Sequence, residues 1–355
     1  PANPFCAQTP TGWKENGILI QKQEPMKKII MAATLLCMGI FGMQAQTLKF
    51  NSNKKFKIVQ FTDIHWVPGN PASEEAAKRM NEVLDAEKPD LVIYTGDLIF
   101  AKPAAEGLDK ALEPAISRHI PFAVTWGNHD DEQDMNRKEL SDYIEKKAGC
   151  LNTRTEGISG VTNFILPVNA SAGNNEAAVL YIFDSNAYSP LKQIKGYDWI
   201  KADQVEWYRK ESAAFTARNN GKPLPALAFF HIPFPEYNQA AQNENALLIG
   251  TRKEKACAPA INTGLYAAML NAGDVMGTFV GHDHVNDYVV NWNNILLCYG
   301  RFTGGKTVYH DIPGGNGARV IELTEGERSF KTWIRLKDGQ VTNLVTYPED
   351  FVKAE

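Results

Sequence analysis

Val275-Met276-Gly277-Thr278-Phe279-Val280 runs straight into Gly281-His282-Asp283-His284. A short apolar run that stops at a glycine reads as a buried strand. Beyond the stop stand two imidazoles flanking a carboxylate, which no turn requires. The same arrangement recurs along the chain. Ile58–Thr62 ends in Asp63-Ile64-His65, Leu91–Thr95 in Gly96-Asp97, and Leu224–Phe230 in His231; Pro121–Thr125 leads to Gly127-Asn128-His129-Asp130. As strands of an α/β fold, these runs align their carboxyl ends along one edge, the edge at which open α/β sheets bind ligands. Five of the seven histidines then share one small volume with two aspartates and an asparagine. Imidazole and carboxylate are donors for Zn, Mn or Fe. The set is too large for one tetrahedral ion, so two ions are expected.

Between these runs the pattern changes period. Ser73–Glu87 carries Ala76, Ala77, Met80, Val83 and Leu84 at helical spacing behind a cap-like Ser73, and Ala104–His119 and Glu132–Ala148 also read as helices. With Phe56–Phe61, Leu91–Thr95 and Pro121–Thr125 as strands, the first part is βαβαβα, which implies a parallel sheet with crossover helices. Val161–Val168 and Ala178–Phe183 read as adjacent strands, Lys201–Arg218 and Ala258–Asn271 as helices. The last third offers short β-like runs at Asp287–Trp292, Ile295–Tyr299, Thr307–Asp311, Ala318–Glu322 and Phe330–Leu336, with Asn293-Asn294 as a tight hairpin turn. This part is expected to be mostly antiparallel. Two sheets packed face to face with helices outside would use all of it in one domain, residues 46–355.

The spacing also suggests roles. Residues i and i+2 of an extended chain point the same way, so Asp63 and His65 can reach one ion. A turn after Gly281 can splay His282 and His284 to different ions. Asp97 follows a glycine at a strand end, where its carboxylate is free to bridge. The assignment is Asp63, His65, Asp97 and His284 for the first ion, and Asp97, Asn128, His231 and His282 for the second. Two cations about 3.5–4 Å apart clamp the oxygens of an in-line displacement and lower the pKa of a shared water from ~15.7 toward ~7, which suits phosphate-ester hydrolysis. His129, beside a ligand but not needed as one, is placed to protonate the leaving alcohol or hold a phosphoryl oxygen. Asp130 could orient its ring. Arg301 has the planar fork that suits phosphate, or could equally be a surface ion-pair partner; Glu236 and Tyr237 could line the cleft. Trp66, Trp199 and Trp292 read as packing. Singly, Asp-x-His, Gly-Asp or a lone histidine has an ordinary structural explanation; the full set at five strand ends does not.

These motifs resemble the calcineurin-like metallophosphoesterase superfamily over roughly residues 55–325. The resemblance implies a four-layer α/β/β/α sandwich of two mixed sheets with a dinuclear centre, and an acid or phosphate-binding role for His129. A narrower likeness, to the small purple-acid-phosphatase-like branch of plants and fungi, shows in Trp126–Glu132, His231-Ile232-Pro233, Gly281–Asp287 and Tyr299-Gly300-Arg301. In true purple enzymes the third residue after the Gly-Asp aspartate is an iron-ligating tyrosine. Here it is Phe100, which cannot ligate, so no tyrosinate-to-iron colour is expected and the pair stays open among Zn, Mn and Fe, divalent or mixed-valence.

Composition narrows the rest. The chain of 355 residues is 44% hydrophobic and 22% charged, with a formal charge of −4. It therefore offers no global attraction to a nucleic-acid polymer or an anionic membrane. Met26-Lys27-Lys28, the apolar stretch Ile29–Met43 and Met43-Gln44-Ala45 read as a signal peptide over 26–45, too short for a comfortable membrane anchor. Residues 1–25 precede a good start methionine and read as an over-called or non-native extension. The expectation is an exported protein, periplasmic or secreted. Cys150, Cys257 and Cys298 remain beyond that segment; their odd number and lack of a Cys-x-x-Cys pair argue against a cysteine zinc site, and all three are expected to be buried. The leading expectation is a phosphomonoesterase acting on a small phosphorylated substrate. A phosphodiesterase for nucleotides or glycerophosphodiesters and a non-catalytic binding protein are the alternatives. Nothing in the sequence sets the oligomeric state.

Overall fold

A computed structural model describes residues 47–352; the segments 1–25 and 26–45 fall outside that range. Its strands are β1 (Leu48–Lys49), β2 (Lys55–Phe61), β3 (Leu91–Thr95), β4 (Phe122–Thr125), β5 (Phe164–Asn169), β6 (Glu176–Ile182), β7 (Ala226–Phe229), β8 (Leu248–Ile249), β9 (Val275–Val280), β10 (Val289–Trp292), β11 (Ile295–Tyr299), β12 (Ala318–Thr324), β13 (Phe330–Arg335) and β14 (Val341–Tyr347). The helices are α1 (Pro71–Glu87), α2 (Ala104–Ile116), α3 (Arg137–Ile144), α4 (Ala202–Arg218), α5 (Glu236–Ala241) and α6 (Leu265–Ala272). One sheet runs β1-β5-β6-β7-β9-β11-β10-β8 and the other β14-β13-β12-β2-β3-β4. None of these helices is long and apolar enough to cross a membrane.

The period-2 alternation of each central strand explains the layering. Leu91 and Ile93 of β3 and Leu180 and Ile182 of β6 enter one buried cluster between the sheets. The alternating partners Val92 and Tyr94 turn outward to α1 and α2. Val179 and Tyr181 turn outward to α4 and α6. The result is helices, sheet, sheet, helices: the four-layer α/β/β/α sandwich of two mixed sheets.

Parallel pairing places the site. β2, β3 and β4 are parallel neighbours in the six-stranded sheet, and β7 and β9 are parallel neighbours in the other. The two sheets meet at these carboxyl ends. Gln60 Nε2 donates to Val280 O across the gap at 3.1 Å and to Thr95 Oγ1 at 2.8 Å. A Cβ at Gly281 would lie 2.0 Å from Thr62 Oγ1, so only glycine admits this approach.

Several boundaries differ from those the sequence pattern predicts, each for a local reason. The cap of α1 is Asn70, which accepts from Ala72 N with Pro71 opening the helix; Ser73 instead accepts from Val67 N. The stretch expected as one helix over Glu132–Ala148 is a 3₁₀ turn at Asp130–Glu132 followed by α3, whose start is fixed by an Asn136/Glu139 capping box. Helix Ala258–Asn271 shortens to α6, and Thr307–Asp311 forms no strand. The last third is mostly antiparallel, as expected, with the parallel pairing of β11 and β9 as the exception. Asn293 and Asn294 turn the β10–β11 hairpin with φ of +46° and +66°, as a type I′ turn requires. Cys298 is buried, Cys150 half-buried and Cys257 exposed, all three as free thiols; the expected burial fails for Cys257 because it lies in the irregular segment before α6.

Candidate metal centre

Asp63, His65, Asp97 and His284 each offer a donor atom, all within 4.8 Å of one another; Asp97, His231 and His282 form a second such group. Asp97 belongs to both through Oδ2, 3.2 Å from Nε2 of His231 and 3.7 Å from Nε2 of His65. His282 and His284 do splay: His282 Nδ1 lies 3.3 Å from His231 Nε2, and His284 Nε2 lies 3.1 Å from His65 Nε2. The N–H of His129 donates to Asp97 Oδ1 at 2.9 Å, which holds the Asn128–His129 loop beside the aspartate the two groups share.

The backbone route differs from the extended one expected for Asp63 and His65. Their φ values are +54° and +48°, with Asp97 at +52° and His282 at +80°. Four donor residues thus occupy the left-handed region, which costs each about 1–3 kcal/mol unless its surroundings hold it there. A turn of this hand swings the chain out of the strand direction, so Asp63 and His65 share a site through a tight loop and not through alternation.

Asp130 provides much of the holding. Its carboxylate is buried and accepts four backbone N–H groups: Asp97 at 2.9 Å, Leu98 at 2.7 Å, Ile99 at 3.2 Å and Gly127 at 2.7 Å. It does not orient His129, the role its position suggested. It pins two donor loops together, and a Cβ at Gly127 would fall 2.1 Å from Asp97 Oδ1. Burial, with the charge on Asp97 adding to it, pushes the Asp130 carboxyl up to about 6. Asp130→Asn would leave two of these N–H groups without an acceptor. At about 1–3 kcal/mol for each, urea unfolding should show a loss of about 2–6 kcal/mol. A loss within experimental error would remove Asp130 from this role. Arg137 assists, donating to Gly127 O at 2.7 Å, to Trp126 O at 3.2 Å and to Asp184 Oδ1 at 2.5 Å.

The donor chemistry fits cations. A carbonyl only accepts, so Thr95 O, 2.7 Å from His231 Nδ1, and Tyr309 O, 2.8 Å from His284 Nδ1, each fix a hydrogen on that nitrogen and leave Nε2 as the nitrogen free to meet a cation. Asn128 Oδ1 is buried with no hydrogen-bond partner. Burial pushes the imidazoles of His65 and His282 well below their usual range and His284 to about 4, so these rings stay neutral, as ligation requires. Burial drives Asp63 up to about 7, with Asp97 adding to it. Burial opposes charge on Asp97 too, but His231 holds it well below the carboxylate range. In return Asp97 outweighs burial at His231 and raises it to about 9. Two buried carboxylates facing one another thus call for positive charge in their midst.

The remaining residues sort differently. His129 places its Nδ1 2.6 Å from Glu132 Oε2, a partner that the helical pattern over Glu132–Ala148 hides. Phe100 packs edge-on against His65 and His129, with ring centres 5.1 and 5.3 Å away. Arg301 is neither a phosphate donor nor a surface ion-pair partner. Its guanidinium is buried, paired with Asp287 and donating to Pro313 O and Gly315 O. Tyr237 is buried in the core, its hydroxyl bonded to Thr278 and Cys298, so it does not line the cleft. Glu236, at the start of α5, accepts from Asn262, without contact to the donors. Three tyrosines that the sequence does not single out adjoin the centre. Tyr309 stacks on His284 with ring centres 4.4 Å apart, Tyr197 meets His282 edge-on at 4.3 Å, and Tyr188 receives a hydrogen bond from Asn128 Nδ2 at 3.2 Å. Tyr188 and Tyr197 lie in an irregular loop and carry no periodic signal.

The family model for calcineurin-like phosphoesterases matches residues 56–286. "Probable inactive purple acid phosphatase 29" of Arabidopsis thaliana is 32% identical over 87% of this chain and 90% of its own length. "Phosphatase DCR2" of Saccharomyces cerevisiae is 35% identical over 82% of this chain and 55% of its own length. Among solved structures, a dimetal phosphatase from Danio rerio superposes with a TM-score of 0.57 at 12% identity, covering 82% of this chain and 98% of that one, a likeness of fold.

Proposed function

Since the chain belongs to the calcineurin-like phosphoesterase family, we propose that it is an exported hydrolase of small phosphate monoesters that works with two transition-metal ions drawn from Zn, Mn and Fe. The observation that carries this reading is the pair of buried donor groups joined through Asp97 Oδ2. Asp63, His65, Asp97 and His284 would hold one ion; Asp97, Asn128, His231 and His282 would hold the other. When bound, the pair supplies Lewis acidity, neutralising phosphoryl charge and lowering the pKa of water at the site.

The protein's own groups supply the rest. His129 is half-buried at the rim of the donor cluster, 5.5 Å from the ring of His65. Its Nδ1 is engaged by Glu132, so proton delivery to the leaving oxygen falls to Nε2. Phe100 packs hydrocarbon against His65 and His129 and would add no donor to the first ion.

Arg301 favours a second reading. With that guanidinium withdrawn, the three free oxygens of a monoester lose one expected cationic partner, whereas a diester presents less charge. Paired assays with p-nitrophenyl phosphate and bis-p-nitrophenyl phosphate separate the two. The monoester should be preferred by about tenfold or more in kcat/KM, equivalent to about 1.4 kcal/mol; a preference for the diester would transfer the assignment. A third reading, a metal-holding protein without turnover, accords with the word "inactive" in the name of the Arabidopsis relative. Metal-loaded protein that releases phosphate from neither ester would establish it.

A further inference from the structure

The loop between β6 and α4 brings a third partner to the site. Tyr188 and Tyr197 pair across it, their rings stacked with centres 5.8 Å apart. The hydroxyl of Tyr188 accepts from Asn128 Nδ2 at 3.2 Å and donates to Glu132 Oε1 at 2.8 Å. The other carboxylate oxygen of Glu132 lies 2.6 Å from His129 Nδ1. Tyr197 meanwhile presses edge-on against His282. One hydrogen-bonded path therefore runs Asn128–Tyr188–Glu132–His129, and the same loop touches a second donor of the same group.

Resting on the metallophosphoesterase reading above, we propose that Tyr188 and Glu132 are positioning residues: they set the carbonyl oxygen of Asn128 toward the second cation and fix on Nδ1 the ring hydrogen of His129. Each bond has one allowed direction. An amide nitrogen only donates, so engaging Asn128 Nδ2 with Tyr188 turns Oδ1 the other way, consistent with that oxygen being buried and unpartnered. A carboxylate only accepts, so Glu132 keeps a hydrogen on Nδ1 and leaves Nε2 as the nitrogen that faces substrate. The tyrosine hydroxyl both accepts and donates, which lets it join the two. A residue on an irregular loop thus couples the geometry of a metal donor to that of the acid. Neither Tyr188 nor Glu132 touches the reacting atoms.

The test uses the whole protein, stripped and retitrated with Mn or Zn, in two arms. In the first, calorimetric titration with elemental analysis should show wild type taking two ions. Tyr188→Phe should keep the affinity of one ion and weaken the other by about 10–100-fold, the usual effect of losing an outer partner of a ligand. In the second, at saturating metal, Glu132→Gln should lower kcat by about tenfold or more on phenyl esters and much less on p-nitrophenyl esters of the same class, since a poor leaving group depends more on protonation. His129→Ala should abolish that difference, and adding Glu132→Gln to it should change nothing further. Unchanged affinities in Tyr188→Phe, or an equal loss on both esters in Glu132→Gln, would overturn the proposal. Both side chains are partly exposed, and thermal unfolding of each variant checks that it folds. Wild type that takes up no metal or releases no phosphate would instead defeat the functional reading on which this rests.

Discussion

Exhaustive chelation should abolish phosphate release, and Mn or Zn should restore it. The donors are buried and face inward, so bulk water cannot take over the task of offsetting Asp63 and Asp97. Arg301 does not take it over either, because it is committed to Asp287. Without the ions the chain retains His129, whose kind of contribution as an acid is about 10²–10⁴-fold. That is far below the effect of bringing water from a pKa of ~15.7 toward ~7. The same titration should raise the melting temperature, because an ion that binds only the folded state stabilises it by about 2.7 kcal/mol at a hundredfold excess over Kd. Protein shown by elemental analysis to be metal-free, yet turning over at the untreated rate, would contradict the dinuclear reading outright.

Asp97→Asn should be the most damaging conservative substitution. Shape and volume are kept, but the amide must choose between two demands. Oδ1 accepts the N–H of His129, and Oδ2 stands between His231 and His65. With one oxygen and one NH₂, the side chain either loses its hold on the Asn128–His129 loop or turns two donor hydrogens on the ions. Loss of a single supporting partner at a metal site costs about 10–100-fold. A residue common to both groups should therefore cost about 10³–10⁴-fold in kcat/KM, with metal content falling from two ions. A variant retaining both ions and a tenth of the activity would show that the two groups are independent.

How much of this could be read in the sequence depends on which force fixed each feature. The strands that carry donors are short, apolar and buried on both faces, so hydrophobic pattern alone marks Leu91–Thr95 and Val275–Val280 at their observed bounds. The donors stand directly after them, which is why chemically distinctive residues and fold were legible together. Features set by hydrogen bonding were not. Nothing in Asp130's position distinguishes a carboxylate that steers a histidine from one that gathers four backbone N–H groups. Arg301 and Tyr237 are polar residues whose partners lie on other segments, so their burial has no local signal. Thr307–Asp311 has strand-like residues, but His284 claims the carbonyl of Tyr309 and no neighbouring strand takes up the ladder. β14 escapes the pattern for the opposite reason: Leu344 is exposed on an edge strand and the pairing with β13 slips, so the alternation that reveals a strand is broken.

The sheet edge that unites Asp63 with His282 also sets an order of events. These two residues are joined by a hydrogen bond across 219 positions of chain, and each donor group draws on both halves of the polypeptide. Neither half alone can present a complete cradle. Contacts so remote in sequence are among the slowest to form, because the entropy of closing the intervening loop must be overcome first. Ion uptake would therefore be a late event, and occupancy would report that both sheets have docked, making the cation a seal set on a finished architecture.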